Sequence, residues 1–340
     1  MVRIIRASQA ELEQAVEALR DGEPIAFPTE TVYGLGANAA NPAAVRKIFQ
    51  LKGRPSSHPV IVHLDDPKYL RRWTREVPPA AMKLADEFWP GPLTLVLPRA
   101  EGVHDEVTGG QDTIAIRVPS HPMAQQLLTA FGGGIAAPSA NRYGGVSATR
   151  AEHVREEFGN DVRVVLDGGE SQVGLESTIV WCKGNTTRLL RPGAIGLAQL
   201  RRVAGEVLVG ADPDTPRVPG AKARHYAPTT PLMLVEGGEL DALAETLSED
   251  GQRIAVLAQR LPLRTYPTVT WINAGKRADA YGHDLYANLR ALDSAGCARI
   301  LVQEVPGDER WDAVRDRLVR AAARDKGDAG DSTVEVGVLP

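Results

Sequence analysis

Cysteine is nearly absent: Cys182 and Cys297 stand far apart, in no metal-ligand spacing, in a chain of 340 residues. That excludes a disulfide framework and suits a reducing compartment. No apolar run approaches the ~20 residues that span a bilayer. The opening residues, Met1-Val-Arg-Ile-Ile-Arg6, turn polar before an apolar secretion core can form. A soluble, cytoplasmic protein with no membrane partner is therefore expected. An excess of one charge is also lacking. The formal net charge is −4, so no global basic field holds nucleic acid, although a local basic patch stays open. Missing too are G-x-x-x-x-G-K-[ST], G-x-G-x-x-G, H-E-x-x-H and C-x-x-C. A nucleotide, if bound, must be held by scattered cations, hydroxyls and backbone amides instead of the two common glycine-loop designs.

What is present reads as globular: 43% hydrophobic and 24% charged residues can build real cores. The length points to two domains. Short β-branched runs over the first part read as strands: Ile25–Phe27, Val60–Leu64, Leu93–Leu97, Thr113–Val118, Val162–Leu166, Ser177–Trp181 and 186–190. Several follow one another with no room for a crossover helix, so the sheet is mixed or partly antiparallel. Ser8 with Glu11, and Thr149 with Glu152, give capping-box patterns for helices ending near Gly22 and Gly159.

Residues 211–230 are punctuated by proline and glycine without a period and read as a linker. Beyond it, strand-like runs at 232–235, 254–257, 269–272 and 300–302 alternate with helical patterns at 239–249, 278–294 and 310–324. That pattern predicts a small, parallel, Rossmann-like α/β domain. The expected division is 1–210, a linker at 211–230, and 231–340, with 326–332 prone to fray.

Polar groups concentrate in a few segments. Pro28-Thr-Glu-Thr-Val-Tyr-Gly-Leu-Gly36 follows a strand, where open α/β sheets place ligands. There Thr29 or Thr31 could equally cap the backbone of a turn. Lys52-Gly-Arg-Pro-Ser-Ser-His58 and the following strand to His63 collect two cations, two histidines and two hydroxyls; arginine's planar fork suits phosphate. Alternation puts Thr113, Ala115 and Arg117 on one face of a strand, where Arg117 could clamp a carboxylate or form an edge salt bridge. Ala136-Ala-Pro-Ser-Ala-Asn-Arg-Tyr-Gly-Gly-Val-Ser147 is the most informative segment. Its small residues admit a ligand close to the backbone, and Ser139, Asn141 and Ser147 offer hydrogen bonds. Ser177 and Arg191 add one more hydroxyl and one more cation.

Taken in order, PTETVYGLGANA, KGRPSSHPVIVHL, WPGPLTLVL, TIAIRVPSHP, AAPSANRYGGVSAT, GLESTIV and LLRPGAIG resemble the YrdC family. The linker HYAP and the C-terminal part are similar to its long, two-domain threonylcarbamoyl-AMP synthases. The resemblance implies an N-terminal twisted, mixed α/β sheet with a large, open, electropositive cavity, plus a smaller Rossmann-like domain. It implies an enzyme that makes L-threonylcarbamoyl-adenylate from L-threonine, bicarbonate and ATP, releasing pyrophosphate, for modification of adenosine 37 of tRNA.

Thr31, His63, Arg117, Ala137 and Ser177 resemble the family's threonine-contacting positions. Arg54, His58, Thr113, Ser139, Ser147 and Arg191 resemble the ATP-contacting ones, and Tyr226 resembles a residue that closes over the nucleotide. Lys52 and Arg54 resemble the basic K-x-R pair facing the phosphates. His58 stands where the family often has asparagine. No protein side chain is expected to ligate a metal; Mg²⁺ would arrive with ATP. The implied partners are the substrates and a downstream tRNA threonylcarbamoyl-transferase complex, with tRNA bound weakly or indirectly. An RNA-binding module without adenylating activity is the competing class; against it stand the negative charge and the missing RNA-reading aromatic pattern. A carbamoyltransferase of hydrogenase maturation would need zinc-binding cysteine pairs that this chain lacks.

Overall fold

The computed structural model describes residues 8–220 and 223–323; the stretch at 326–332 lies outside them. Two sheets form. The first has nine strands: β1 (Ile25–Phe27), β2 (Gly34–Asn38), β3 (Ile61–His63), β4 (Leu93–Pro98), β5 (Thr113–Arg117), β6 (Ile135–Ala136), β7 (Thr178–Lys183), β8 (Thr186–Arg191) and β9 (Leu208–Val209). Their spatial order is β1-β2-β6-β3-β5-β4-β7-β8-β9. The sheet is mixed as expected: β3/β5, β4/β7 and β8/β9 run parallel, and the remaining neighbours antiparallel.

Its helices are α1 (Gln9–Arg20), α2 (Pro42–Lys52), α3 (Pro79–Phe88), α4 (Asp105–Thr108), α5 (Pro122–Phe131), α6 (Ala151–Phe158) and α7 (Leu197–Ala204). The second sheet holds β10 (Leu232–Val235), β11 (Ile254–Ala258), β12 (Val269–Asn273) and β13 (Arg299–Gln303), in the order β10-β13-β11-β12 and parallel throughout. Helices α8 (Leu240–Glu249), α9 (Ala278–Asp293) and α10 (Asp312–Ala322) cover it.

The period-2 alternation of strands decides what the first sheet can do. Val62, Leu95, Ile114, Ile116 and Val180 point to one face and form a core with Leu84 of α3 and Leu200 of α7. Ile61, Val96, Ala115, Ile179 and Trp181 occupy the opposite face. His63, Arg117 and Ser177 share the parity of this second set, so the same pleat that builds the core presents polar groups on the other side.

Two expectations change. Residues 162–166 form no ladder of their own; Ala26 donates to the Val164 carbonyl and Leu166 to the Ala26 carbonyl, each at 2.9 Å, and the pairing stops there. β1 is three residues long and leaves nothing to extend it. At α6 the cap is Arg150, so the third helical position falls on His153 instead of Glu152. Its Nδ1 receives the Thr149 amide at 3.2 Å. The Ser8–Glu11 capping box forms as expected.

Candidate functional site

The turn after β1 is built by Thr29. Its hydroxyl donates to the Val32 carbonyl at 2.6 Å and accepts from the amides of Thr31 and Val32 at 3.2 Å. The Thr31 hydroxyl pairs with the Thr29 hydroxyl at 2.8 Å and accepts from Arg117 Nη1 at 2.7 Å. Arg117 ends β5 beside His63, its register partner on β3. The same guanidinium pairs with Glu30 at 2.7 Å and donates from Nε to the Gly91 carbonyl at 3.3 Å. Thr29 therefore caps the turn, and Thr31 ties it to the end of β5.

His63 is buried, and burial first, then the Arg117 charge, lowers its pKa to about 3. The imidazole is neutral at physiological pH. Its ring meets Phe27 edge-on at 5.9 Å.

Around this centre the fold closes a narrow chamber of about 40 Å³. Thr31, His63, Arg117, Ala137 and Ser177 line it, and Arg54, Ser139, Arg191 and Tyr226 complete its walls. Arg191, at the end of β8, donates from Nε and Nη2 to the Ser177 carbonyl at 3.1 and 2.9 Å, and from Nη2 to the Ser177 hydroxyl at 3.1 Å. Its Nη1 reaches the Pro219 carbonyl in the linker at 3.0 Å. Arg54, Arg117 and Arg191 are each at most 7% exposed. Burial lowers the Arg54 pKa to about 10, still well above neutrality. Three buried guanidiniums in one chamber are suited to anions, and arginine offers the bidentate geometry that carboxylates and phosphates accept.

His58 falls in an adjoining chamber of about 270 Å³, with Tyr143 and Arg217; Arg54, Gly220 and His225 border both spaces. Its ring meets Tyr143 edge-on at 5.6 Å. Pro219, Gly220, His225 and Tyr226 border the inner chamber on a further side. Tyr226 is 1% exposed, and its backbone sits at φ +60°, a left-handed conformation that costs a bulky residue energy. Gly220 passes so close to it that an added Cβ would lie 2.2 Å from the tyrosine hydroxyl.

Three expected site residues stand elsewhere. The Lys52 ammonium is buried against the Ser139 carbonyl at 2.6 Å and the Asn141 carbonyl, so it secures the 139–141 loop. Burial, then the Arg54 charge, holds its pKa well below the usual lysine value. Ser147 is buried behind the wall and donates to Glu176 at 2.5 Å. Thr113 begins the strand that Arg117 ends and does not line either chamber. Larger clefts of about 500 and 820 Å³ open elsewhere on the surface, but neither gathers convergent buried cations.

The Sua5/YciO/YrdC family, described as telomere recombination, matches residues 17–193. The chain belongs to that family. Residues 195–323 match a second family, described as threonylcarbamoyl-AMP synthase, C-terminal domain. A threonylcarbamoyl-AMP synthase of Pyrococcus abyssi is 38% identical over 328 residues, spanning 93% of this chain and 95% of its own. One of Bacillus subtilis is 39% identical over 327 residues, spanning 94% of each. The crystal structure of P. abyssi Sua5 complexed with L-threonine matches with a TM-score of 0.87 at 37% identity, over 94% of this chain and 96% of that one.

Residue patterns alone missed part of this family member's site. Glu30 and Glu176 are buried carboxylates within segments read only for hydroxyls and glycines. His225 lines the chamber beside Tyr226, in a segment whose proline and glycine content reads only as a connection. Arg317 carried a usable signal: Ala313, Val314, Leu318 and Ala321 trace the buried stripe of α10, and Arg317 lies in that stripe.

Proposed function

We propose that this chain makes L-threonylcarbamoyl-adenylate from L-threonine, bicarbonate and ATP, with release of pyrophosphate. The observation that carries the reading is the convergence of Arg54, Arg117 and Arg191 with a neutral His63 and the Thr31 and Ser177 hydroxyls in one lidded chamber. In this reading Arg117 takes the threonine carboxylate, alongside the Glu30 carboxylate it already holds. The threonine amine, in its uncharged form, attacks bicarbonate carbon; water leaves and a carbamate remains. A carbamate oxygen then attacks the α-phosphorus of ATP and pyrophosphate departs, its negative charge met by Arg54 and Arg191. Such a transfer asks for positioning and charge stabilisation more than for a protein nucleophile. The neutral His63 imidazole suits a site that must keep an amine uncharged. Tyr226 excludes water from a hydrolysable adenylate.

Mg²⁺ enters this scheme as the counter-ion of ATP. Glu176, the carboxylate that lines the chamber, is committed to Arg317, and Glu30 behind it to Arg117. Glu170, His283 and Asp284 lie together in a group of metal-ligating type but do not line the chamber, and Glu170 is paired with Arg150 at 2.7 Å. The product would serve a tRNA threonylcarbamoyl-transferase complex, with residues 211–230 acting as linker and lid between units at 1–210 and 231–340. Reduced Cys182 and Cys297 accord with the cytoplasm, and among the described residues no helix is long and apolar enough to cross a membrane. The test is pyrophosphate release by purified protein with ATP, Mg²⁺, bicarbonate and single amino acids. Release that needs both L-threonine and bicarbonate is expected; release indifferent to either would refute the assignment.

A further inference from the structure

Two loops that carry candidate site residues are held from the other domain. Glu176, the residue before Ser177, accepts Ser147 Oγ at 2.5 Å on one oxygen. Its other oxygen accepts the Tyr286 hydroxyl at 2.7 Å and Arg317 Nε at 2.9 Å. Tyr286 belongs to α9 and Arg317 to α10. Arg317 also donates to the Pro192 carbonyl at 3.1 Å, next to Arg191. Arg290 of α9 donates to the Val146 carbonyl at 2.5 Å, next to Ser147. The Tyr226 ring lies against the same pair, 5.0 Å from the Arg317 guanidinium and stacked on Tyr286 with centroids 5.8 Å apart. Gly174 allows the approach: an added Cβ there would meet the His283 carbonyl oxygen at 2.1 Å. Val146, Leu175 and Tyr226 complete one apolar cluster with Leu285 and Leu289 of α9.

Adhesion between domains does not need this chemistry. Apolar side chains of similar volume would join two surfaces without the desolvation cost of a buried ion pair. A fully buried guanidinium on a fully hydrogen-bonded carboxylate instead fixes directions. The lone pairs of Glu176 orient the Ser147 hydroxyl and the backbone entering Ser177, and Ser177 is in turn clasped by Arg191. We infer that Tyr286 and Arg317 are positioning residues: acting through Glu176, the C-terminal domain sets Ser147 and Ser177 and supports Tyr226, so the chamber is complete only when the two domains are docked. The inference rests on the activity proposed above.

The test uses the full-length protein, with pyrophosphate release measured as L-threonine and ATP are varied separately, threonine binding by calorimetry, and thermal unfolding. Tyr286→Phe deletes one hydrogen bond to a charged group and keeps the ring, so the threonine KM should rise ~10-fold. Arg317→Met should lose ~100-fold or more in kcat/KM, because Glu176 is left charged and short of its cation. Adding Glu176→Gln to Arg317→Met removes the orphan charge and should return at least ~10-fold of that loss. Glu309→Gln is the interface control. Glu309 accepts the Ala198 amide across the same boundary at 2.8 Å and is not among the groups bonded to Glu176, so its loss should leave both KM values unchanged.

Unchanged threonine KM in Tyr286→Phe and Arg317→Met, with only a lower melting temperature, would reduce these contacts to adhesion and overturn the inference. So would a double variant no better than Arg317→Met. Should Arg317→Met fail to fold, Tyr286→Phe against Glu309→Gln decides alone. A wild-type chain without threonine-dependent turnover overturns the proposed activity, and the calorimetric comparison of wild type with Tyr286→Phe then decides the positioning role. Absence of threonine binding in the wild type overturns both.

Discussion

Arg117 and Glu30 meet at 2.7 Å with 4% and 3% of their side chains exposed, joining the end of β5 to the turn after β1. Removing one partner of a buried pair strands the other charge, so Arg117→Met should cost about 3–5 kcal/mol of stability. Adding Glu30→Gln removes the stranded carboxylate and should recover most of that loss in urea unfolding. L-Threonine binding should stay lost in both variants, since the ligand's carboxylate still lacks its cation. A double variant as unstable as Arg117→Met would deny the pairing, and wild-type threonine affinity in calorimetry would deny the binding role.

Arg54 and Lys52 sit two residues apart at the end of α2 yet face different tasks. Arg54 lines both chambers, whereas Lys52 spends its ammonium on the Ser139 and Asn141 carbonyls. Arg54→Met should therefore raise the ATP KM ~10–100-fold, the worth of a charge-assisted hydrogen bond, and leave the threonine KM within about twofold. Lys52→Met frees the whole 139–141 loop and should raise both KM values. Kinetics with each substrate varied in turn separate the two, and an unaltered ATP KM in Arg54→Met would remove Arg54 from the nucleotide site.

Acid should weaken the fold most through two deeply buried histidines. In the unfolded chain an imidazole gains its proton near pH 6.5, but burial lowers the pKa of both His63 and His225 to about 3. Between those values the unfolded state binds more protons, so stability is full above pH 6.5 and declines as the pH falls. At pH 5 each histidine should have withdrawn about 2 kcal/mol relative to pH 7. Urea unfolding at the two pH values in wild type and in a His63→Asn, His225→Asn chain isolates their share: the double variant should show a flatter dependence, with His153, lowered to about 4 by burial, contributing equally to both. For the same reason His63 should contribute no inflection to the rate profile between pH 5 and 8. An inflection there that vanishes in His63→Asn would contradict the neutral imidazole.

How far these sites could be read from sequence depended on distance along the chain. Strand parity placed Arg117 on the chamber side, and the hydroxyl-rich segments at 28–36 and 136–147 announced loops at strand ends, because those signals are local. The mixed sheet followed from connections too short for helices. What local patterns could not supply was pairing between distant segments. Glu30 became a partner of Arg117 only when β5 came beside the turn after β1. The Lys52 ammonium turned from the expected phosphates to the 139–141 carbonyls because the fold laid that loop across the end of α2. Glu176 gained its role from α9 and α10, more than a hundred residues onward. Alternation alone also put Thr113 on the right face but at the wrong end of its strand.

Tyr226 is held over the chamber by its ring, since its hydroxyl has no hydrogen-bond partner among the described residues. Tyr226→Phe should accordingly keep activity within about threefold, the hydroxyl making no bond to lose. Tyr226→Ala should let water in: pyrophosphate release continues, but less threonylcarbamoyl-adenylate is recovered per pyrophosphate. Gly220 refines the test. Its φ of +80° and the 2.2 Å approach to the tyrosine hydroxyl make Gly220→Ala incompatible with the closed lid. That variant should leak product as Tyr226→Ala does. Combining it with Tyr226→Phe deletes the clashing oxygen and leaves the left-handed strain, about 1 kcal/mol, with contacts of 3.2 Å to Arg191 Nη1 and 3.3 Å to the ring carbon Cζ that must give slightly, so part of the product yield should return. Product yield per pyrophosphate, measured across the four variants, reads the lid directly. Equal yield in Tyr226→Ala and wild type would mean that the ring covers the site without protecting the adenylate.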